Sequence, residues 1–285
     1  MFETDFTARL DAEGINPSLI ADFQAFVFSF YETCGRHDMQ WRHTTDPYLI
    51  TVSEIMLQQT QVPRVAEIYP RFIKAFPTAQ ALAAAADAGV LSAWQGMGYN
   101  RRALYLKKLC RIVTEEFGGV FPKTPAELEK LPGIGKATSC SIAAFAYNSP
   151  VVFIETNIRR VFIHFFFRGR DAVDDAEILP LVEAMLPAGK SREWYWALMD
   201  LGTEMKRSVG NPNRKSRQYV KQSKFEGSHR QVRGAVLKEM LNRKSGTVSS
   251  VAEAVGYPED SVSAVLSEME TEGFFVCENG VFRVS

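Results

Sequence analysis

A glycine-rich turn is one segment of this chain whose residue types indicate a chemical role. The run Leu131–Gly135 (LPGIG) lies between two short segments of helical character. Glycine lets a backbone approach a ligand closely, and the N–H groups at the start of a following helix can bind a phosphate without reading base sequence. The pattern predicts a helix-hairpin-helix turn. A purely structural connection between two helices is the alternative.

Three further runs combine carboxylates, amides, cations and aromatic residues. They are Ser53–Val62 (SEIMLQQTQV), Trp94–Ala103 (WQGMGYNRRA) and Phe153–Val161 (FIETNIRRV). Glu155 comes directly before a predicted helix, where the positive end of the helix dipole stabilises a carboxylate. From this position alone, a helix-stabilising role for Glu155 stands beside a chemical one.

Together these runs closely resemble the MutY-type adenine DNA glycosylases of the helix-hairpin-helix (HhH-GPD) and endonuclease III superfamily. The resemblance covers about residues 25 to 208, and the run Ser53–Val62 is highly specific for that branch. It implies a mainly α, two-lobed helix-hairpin-helix DNA glycosylase fold with the DNA cleft between the lobes. It also implies a monofunctional enzyme of base excision repair. Such an enzyme hydrolyses the N-glycosidic bond of adenine mispaired with guanine or 8-oxoguanine.

The resemblance assigns a role to each residue of the predicted site. Glu54 would protonate the departing adenine at N7, and Glu155 would stabilise the oxocarbenium-like sugar, with Asn157 as support. The two carboxylates need different protonation states, so burial should raise the pKa of Glu54 while Glu155 stays ionised. The residues expected to contact DNA are Leu57, Gln58, Gln59, Tyr99, Gly133, Gly135, Lys136, Arg214 and Lys215. A surface position for Glu54, Gln58 and Gln59 and a core position for Tyr99 are the alternatives.

Two departures from the family pattern concern the chemistry. Glu155 stands where the family has an aspartate, and its extra methylene moves the carboxylate oxygens. A misplacement of about 1 Å costs on the order of a hundredfold in rate. Ala137 occupies the position of the Schiff-base lysine of the endonuclease III branch, and the neighbouring Lys136 points about 100° away on a helix. Hydrolysis to an abasic site without lyase activity is therefore expected.

The third departure concerns the iron–sulfur cluster of the family. Its four cysteine positions align with Lys206, Asn213, Ser216 and Gln222. Without thiolates no cluster is expected, and no other cofactor or metal is predicted. The cysteines that the chain does contain are far apart, without a C-x-x-C pair, and are predicted to be buried, reduced thiols: Cys34, Cys110, Cys140 and Cys277.

The fourth departure is a short C-terminal module, residues 229–285, in place of the family's longer domain. Its predicted recognition helix is acidic, with Glu259, Asp260, Glu268, Glu270 and Glu272. Acidic groups that face phosphates repel them, so the module is not expected to read DNA. It is expected to pack on the glycosylase body or to bind a protein partner. The basic stretch from Lys206 to Arg233 remains the predicted phosphate-binding surface.

The elements that must position these residues are mostly helical. Helical patterns predict helices at Leu19–Tyr31, Arg102–Phe117, Lys136–Tyr147, Thr156–Phe167, Arg192–Ser208, Arg230–Leu241 and Glu259–Glu272. Capping boxes are predicted at Thr124–Glu127 and Ser250–Glu253. The Asn279-Gly280 pair predicts a hairpin turn. Asn211–Ser228 is predicted to be a linker or an ordered loop. Three helices followed by a hairpin are typical of a winged helix.

These elements predict a glycosylase domain at 1–228 and a winged-helix-like module at 229–285. The glycosylase domain would comprise a six-helix lobe at about 40–150 and a second lobe from 1–39 and 151–228. No run reaches the length of a membrane span, and the N-terminus lacks the pattern of a signal peptide. A cytoplasmic, nucleoid-associated monomer in a bacterium or archaeon, acting on double-stranded DNA with a mismatch or lesion, is therefore expected.

Three other functions remain open at this point. A glycosylase of the same fold for thymine, uracil or another modified base fits the same motifs. A non-catalytic DNA-lesion-binding protein fits if Glu155 marks lost chemistry. A winged-helix adaptor fits if the acidic C-terminal module binds a protein.

Overall fold

The computed structural model describes residues 4–220 and 225–285, and the chain is mostly helical, as predicted. No helix in these two ranges is long and apolar enough to cross a membrane. The helices and strands are α1 (Phe6–Glu13), α2 (Pro17–Cys34), α3 (Pro47–Leu57), α4 (Val62–Ala75), α5 (Ala79–Ala84), α6 (Asp87–Ala93), α7 (Arg101–Glu116), α8 (Pro125–Leu128), α9 (Lys136–Tyr147), α10 (Thr156–Phe166), α11 (Asp175–Ala184), α12 (Ser191–Ser208), α13 (His229–Arg243), β1 (Ser245–Gly246), α14 (Val248–Val255), α15 (Glu259–Thr271), β2 (Phe275–Glu278) and β3 (Val281–Val284).

Two compact units are assembled from alternating segments of the chain. The first unit comprises Met1–Ile50, Lys123–Glu129 and Ile134–Lys221, and the second comprises Thr51–Pro122, Lys130–Gly133 and Gln222–Ser285. The C-terminal helices and strands thus belong to the same unit as α4 to α7.

An aromatic core holds the first unit together around α2, α10 and α12. The ring of Phe23 lies 4.8 Å from that of Phe166 and 5.6 Å from that of Phe162, both on α10. Trp194 of α12 is fully buried against Phe23 at 6.1 Å. Each of these side chains contributes about 1.5–3 kcal/mol by leaving water. The packing fixes α10, whose first turn carries two of the predicted site residues.

Gly202 allows α12 to lie directly on the first turn of α10. A Cβ added at Gly202 would approach the Cβ of Asn157 to 2.8 Å and overlap its carbonyl oxygen. Only glycine permits this close contact of two helix backbones. Position 202 therefore sets the spacing between the two helices.

The second unit has its own core between α4, α6 and α7. Phe72 and Trp94 are fully buried, with ring centroids 5.6 Å apart. The C-terminal part adds α13, α14 and α15 and an antiparallel sheet in the order β1-β3-β2. The β2–β3 turn confirms the hairpin prediction, since Asn279 and Gly280 have φ of 52° and 73°. Helix α13 packs against α6.

The helix starts confirm one capping prediction and correct another. Thr124 caps α8 and accepts a hydrogen bond from the backbone N–H of Glu127, as predicted. The second box was placed three residues too late, because Thr247 is the N-cap of α14 and Ser250 closes the box. Both residue types cap helices well, so the local pattern does not distinguish them.

Candidate active site

The wedge segment, Leu57 to Thr60, follows the helix that carries Glu54. Glu54 is half-buried on α3, between the buried residues Ser53 and Ile55. Leu57 and Gln58 are half-buried and Gln59 is exposed, with a left-handed φ of 55°. Such a conformation in a non-glycine residue costs of order 1–3 kcal/mol and is concentrated at functional sites.

The Tyr99 loop, Trp94 to Asn100, has the same strained character. Gly96 and Gly98 have φ of 88° and 67°, and Tyr99 follows with φ of 47°. The Tyr99 side chain is 37% exposed, so it is not a core residue. Gln59 and Tyr99 thus both present exposed side chains from left-handed backbone positions.

Arg102 joins the wedge segment to the Tyr99 loop, a role that the sequence analysis did not assign. Its guanidinium donates to the carbonyl oxygens of Ile55 (2.8 Å), Met56 (3.0 Å), Gln58, Met97 (3.3 Å) and Gly98 (2.9 Å), and to Thr60 Oγ1 (3.0 Å). The side chain is 9% exposed. Burial lowers its pKa to about 10, which leaves the group charged at neutral pH. Arg102 therefore holds both loops through their backbones.

One signal in the sequence pointed to Arg102. The buried face of α7 contains Leu106, Leu109 and Val113, and Arg102 lies one turn earlier on the same stripe. An arginine on an apolar face requires buried acceptors. The periodicity did not show that these acceptors were the loops that carry Gln58, Gln59 and Tyr99.

The helix-hairpin-helix turn connects α8 to α9. Gly133 has φ of 80°, and a Cβ there would lie 3.1 Å from the Cβ of Tyr105. The Gly133 carbonyl accepts a hydrogen bond from Gln58 Nε2 at 3.2 Å, which links the turn to the wedge segment. Gly135 is the N-cap of α9 and has no side chain to occupy the helix start, and Lys136 is exposed. This geometry suits a phosphate.

Glu155 is the N-cap of α10 and is half-buried. Its Oε1 accepts hydrogen bonds from the backbone N–H groups of Asn157 (2.7 Å) and Ile158 (3.0 Å). Asn157 Nδ2 approaches Oε2 at 3.4 Å. The carboxylate is thus directed at the helix start by three donors. The carboxylate therefore has the helix-stabilising role considered in the sequence analysis. The same group is the one expected to take part in the chemistry.

Burial and the neighbouring polar and charged groups have opposite effects on the pKa of Glu155. Burial raises the pKa of the Glu155 carboxyl, whereas the Ile158 and Asn157 N–H groups and the cations of Arg160 and Arg159 lower it. The net direction is upward. The sequence analysis predicts a raised pKa for Glu54 alone. The raised pKa of Glu155 is therefore a feature that the sequence analysis does not predict.

Arg160 is a buried cation that is hydrogen-bonded to Asn157, two residues after Glu155. It is 3% exposed, and its Nη1 donates to Asn157 Oδ1 at 2.6 Å and to the carbonyl oxygen of Gly202. The Asn157 amide is therefore oriented with its oxygen towards Arg160 and its nitrogen towards Glu155. Sequence reasoning did not assign this role to Arg160.

The basic loop after α12 is attached to the first turn of α10. Asn213 is buried, and its Nδ2 donates to the carbonyl oxygen of Thr156 at 2.7 Å. Ser216 pairs with Val173 in an isolated parallel bridge. Arg214 and Lys215 are exposed on the same loop. These contacts place the two predicted DNA-contacting cations on the loop bonded to the residue after Glu155.

The residues at the family's cluster positions do not fit an iron–sulfur cluster. Asn213 is bonded to Thr156, and Ser216 Oγ donates to Gln218 Oε1 at 2.9 Å. Gln222 lies outside the described residues. The cysteines are spread over the fold: Cys110 and Cys140 are buried, Cys277 is half-buried and Cys34 is exposed, which corrects the expectation that all four are buried. Within residues 4–220 and 225–285, no three His, Cys, Asp or Glu residues are grouped to hold a metal.

The predicted residues therefore form two groups. Glu54, the wedge segment, the Tyr99 loop and Gly133 belong to the second unit. Glu155 and Asn157, with Lys136, Arg214 and Lys215, belong to the first unit.

Comparison with known proteins identifies the family of this chain. Residues 52–179 match the HhH-GPD superfamily base excision DNA repair protein model. The adenine DNA glycosylase of Mycolicibacterium smegmatis is 36% identical over 230 residues, which cover 74% of this chain and 78% of that protein. The chain therefore belongs to the HhH-GPD superfamily of base excision DNA repair proteins, and within it to the family of the adenine DNA glycosylases.

Two further similarities show the extent of the match. The adenine DNA glycosylase of Buchnera aphidicola subsp. Baizongia pistaciae is 34% identical over 181 residues, 63% of this chain, and the chain covers 52% of that protein. The chain thus spans about half the length of this relative. The solved structure of a thermostable thymine-DNA glycosylase superposes with a TM-score of 0.56 and 27% identity, over 64% of this chain and 85% of that one.

Proposed function

We propose that this protein is a monofunctional DNA glycosylase that removes adenine mispaired with guanine or 8-oxoguanine. The observation that carries the proposal is the Glu155 carboxylate, which is half-buried and fixed at the start of α10 by the N–H groups of Asn157 and Ile158. A fixed carboxylate of this kind can stabilise a developing positive charge without reorganisation. The family membership supports adenine as the base.

In this proposal Glu54 donates a proton to N7 of adenine as the C1′–N9 bond breaks. The bonding electron pair leaves with the base, which departs neutral, and the sugar develops oxocarbenium character that Glu155 stabilises. Water then adds at C1′ and releases its proton, which leaves an abasic site. Asn157 acts as a positioning residue, since its amide lies between Arg160 and Glu155.

DNA binding follows from the exposed cations and the wedge. A glycosylase must extrude its base, and Leu57, Gln59 and Tyr99 would enter the base stack. Gln58 would contact DNA beside them. The turn residues Gly133, Gly135 and Lys136 and the loop residues Arg214 and Lys215 would bind phosphates.

The remaining features complete the proposal. Ala137 at the start of α9 supports hydrolysis without lyase activity. The bonded Asn213 and Ser216 support an enzyme without an iron–sulfur cluster. The order α13, β1, α14, α15, β2, β3 supports a winged-helix-like module. A cytoplasmic monomer with mismatched double-stranded DNA as its partner completes the expectation.

Single-turnover release from duplexes with A:G, A:8-oxoguanine, T:G and U:G pairs tests this function. Release of adenine from the first two, lost on Glu54→Gln and strongly reduced on Glu155→Ala, is the expected result. General acid catalysis contributes about 10²–10⁴-fold, so the loss on Glu54→Gln should lie in that range. No release from any duplex would overturn the proposal.

A second candidate function is removal of thymine or uracil from mismatches. The similarity to a solved thymine-DNA glycosylase favours it. Release from T:G or U:G, with adenine retained, would identify it in the same assay. Tight binding without turnover, unchanged by Glu155→Asp, would instead identify a lesion-binding protein.

A further inference from the structure

Two cations act on the Glu155 carboxylate from a distance. In the described part of the chain, the hydrogen-bond donors to this carboxylate are the N–H groups of Asn157 and Ile158 and the Asn157 amide. Burial raises the pKa of Glu155, and the charges of Arg160 and Arg159 oppose that rise. Arg160 is engaged by Asn157 Oδ1 at 2.6 Å. Arg159 is therefore the second cation whose position has to be accounted for.

Arg159 lies one helical turn after Glu155 on α10, and its backbone N–H donates to the Glu155 carbonyl oxygen at 2.9 Å. Side chains of a helix point towards its N-terminus, which directs Arg159 to the end of α10 that carries Glu155. The guanidinium nevertheless pairs with Asp175. Its Nε and Nη2 donate to the two carboxylate oxygens, each at 2.6 Å. Such a forked pair is among the strong hydrogen-bonded contacts between side chains.

Asp175 is a fixed acceptor, because it is the first residue of α11. The preceding residue, Asp174, is the N-cap and forms a capping box with Glu177. The positive end of the helix dipole stabilises a carboxylate at this position. The side chains of Arg159 and Asp175 are 16% and 29% exposed, so the ion pair is largely shielded from water.

The other elements around the start of α10 contribute no comparable cation. Helix α12 contacts this turn through Gly202, which carries no charge. Arg214 and Lys215 of the basic loop are exposed, where water and salt screen their charges. The placement of Arg159 therefore has the larger influence on the charge of Glu155.

Asp175 and Glu155 compete for the Arg159 guanidinium. The hydrogen bonds to Asp175 raise the pKa of Arg159 most, and the charge of Glu155 raises it as well. A half-buried guanidinium requires an acceptor, so Arg159 without Asp175 would turn to Glu155. A guanidinium bonded to Glu155 would neutralise the charge that the oxocarbenium-like sugar requires.

We propose that Asp175 is a positioning residue that keeps Arg159 from pairing with Glu155. Held in this way, the cation favours the ionised carboxylate through space and leaves its oxygens available to the sugar. The catalytic consequence rests on the proposed function. The choice of partner by Arg159 does not depend on it.

An NMR titration of the Glu155 side-chain carboxyl carbon tests the pairing without catalysis, with Glu155→Gln identifying the signal. Asp175→Asn should lower the pKa of Glu155 by at least about one pKa unit, since an adjacent opposite charge lowers a carboxyl pKa by about 1–3. Asparagine has the shape of aspartate, so the variant should fold. Adding Arg159→Gln should return the pKa to the value of the unaltered protein or above it, because the cation that moves is then absent.

Asp22→Asn is the matched control, because Asp22 is an exposed acid of the same unit that pairs with Arg9 at 2.8 Å. It should leave the titration of Glu155 unchanged. An unchanged or raised pKa of Glu155 in Asp175→Asn would overturn the inference. An equally lowered pKa in the double variant would also overturn it, since Asp175 would then act on Glu155 directly.

Single-turnover release at pH 8 measures the catalytic consequence. Asp175→Asn should slow adenine release by about tenfold or more, and adding Arg159→Gln should recover most of that loss. Undiminished release from a folded Asp175→Asn protein would refute the catalytic part of the inference. Absence of release in the unaltered protein would instead refute the proposed function, and the titration would still report the partner of Arg159.

Discussion

In the second unit a buried cation gathers backbone carbonyl groups, whereas in the first unit a half-buried carboxylate gathers backbone N–H groups. Arg102 donates hydrogen bonds to carbonyl groups of the wedge segment and the Tyr99 loop. Glu155 accepts hydrogen bonds from N–H groups at the start of α10. Both devices use one charged side chain to fix main chain at a proposed functional position. They differ in what happens when the charge is removed.

The difference follows from the alternatives open to the backbone groups. The two N–H groups at the start of α10 belong to a helix that persists by its other hydrogen bonds, and many residues can cap it. The carbonyl groups at Arg102 belong to the last turn of α3, the wedge segment and the Tyr99 loop, and the two loops carry the left-handed residues Gln59 and Tyr99. These groups lie against a buried side chain. We therefore expect the Arg102 device to be more important for folding and the Glu155 device to be more specific to chemistry.

Arg102→Met should produce the largest effect. It leaves buried carbonyl groups without a donor, and the free energy of unfolding should fall by about 3–5 kcal/mol. Release of adenine should fall at least about a hundredfold, because both loops lose the hydrogen bonds that fix their backbones. Urea unfolding and single-turnover release measure the two effects. Arg111→Met, an exposed position on the same helix, should remain within about 0.5 kcal/mol of the unaltered protein. A stable, fully active Arg102 variant would refute the comparison.

Glu155→Asp should affect chemistry and leave stability nearly unchanged. Aspartate caps helices at least as well, so the unfolding free energy should change by less than about 1 kcal/mol. The shorter side chain withdraws the carboxylate by about 1 Å, and release should fall by about tenfold or more. Glu183→Asp, at an exposed position of α11, controls for the substitution itself. Release that equals that of the unaltered protein would show that the pocket is not set to the longer side chain.

Glu155→Gln should have a small effect on the free energy of unfolding, visible in its pH dependence. Burial raises the pKa of Glu155, so ionisation of this group destabilises the folded state as the pH rises from the ordinary glutamate value through the raised one. Glutamine has the same shape and no charge. The variant should therefore be more stable than the unaltered protein near pH 8, and the two should converge near pH 4. Urea unfolding at both pH values measures this, and a difference of opposite sign at pH 8 would contradict it.

Short-range patterns predicted the elements, and long-range contacts explain what those patterns missed. The Thr124 cap and the Asn279-Gly280 turn depend on neighbouring residues, and both were predicted. The start of α14 at Thr247 directly follows β1, which pairs with Arg283 and Phe282, far along the chain. A local pattern cannot contain that information.

The candidate site divides in the same way. The family resemblance identified Glu155 from its surrounding run, and its position at a helix start was visible in the sequence. Arg102 stood on an apolar stripe, but its acceptors lie more than 40 residues away at Ile55 and Met56. The acidity of α15 was visible in the sequence, but the ion pairs of Glu268 and Glu272 with Arg233 of α13 were not.

Gly202 sets a limit on sequence variation that no functional group reveals. It carries no side chain, yet the first turn of α10 rests on it, with Asn157 where a methyl group would stand. Any larger residue would push that turn outward and carry the Glu155 carboxylate with it. The identity of a residue on α12 thereby depends on the position of a carboxylate at the start of another helix, so a constraint from the proposed active site extends to a place where only a hydrogen atom is tolerated.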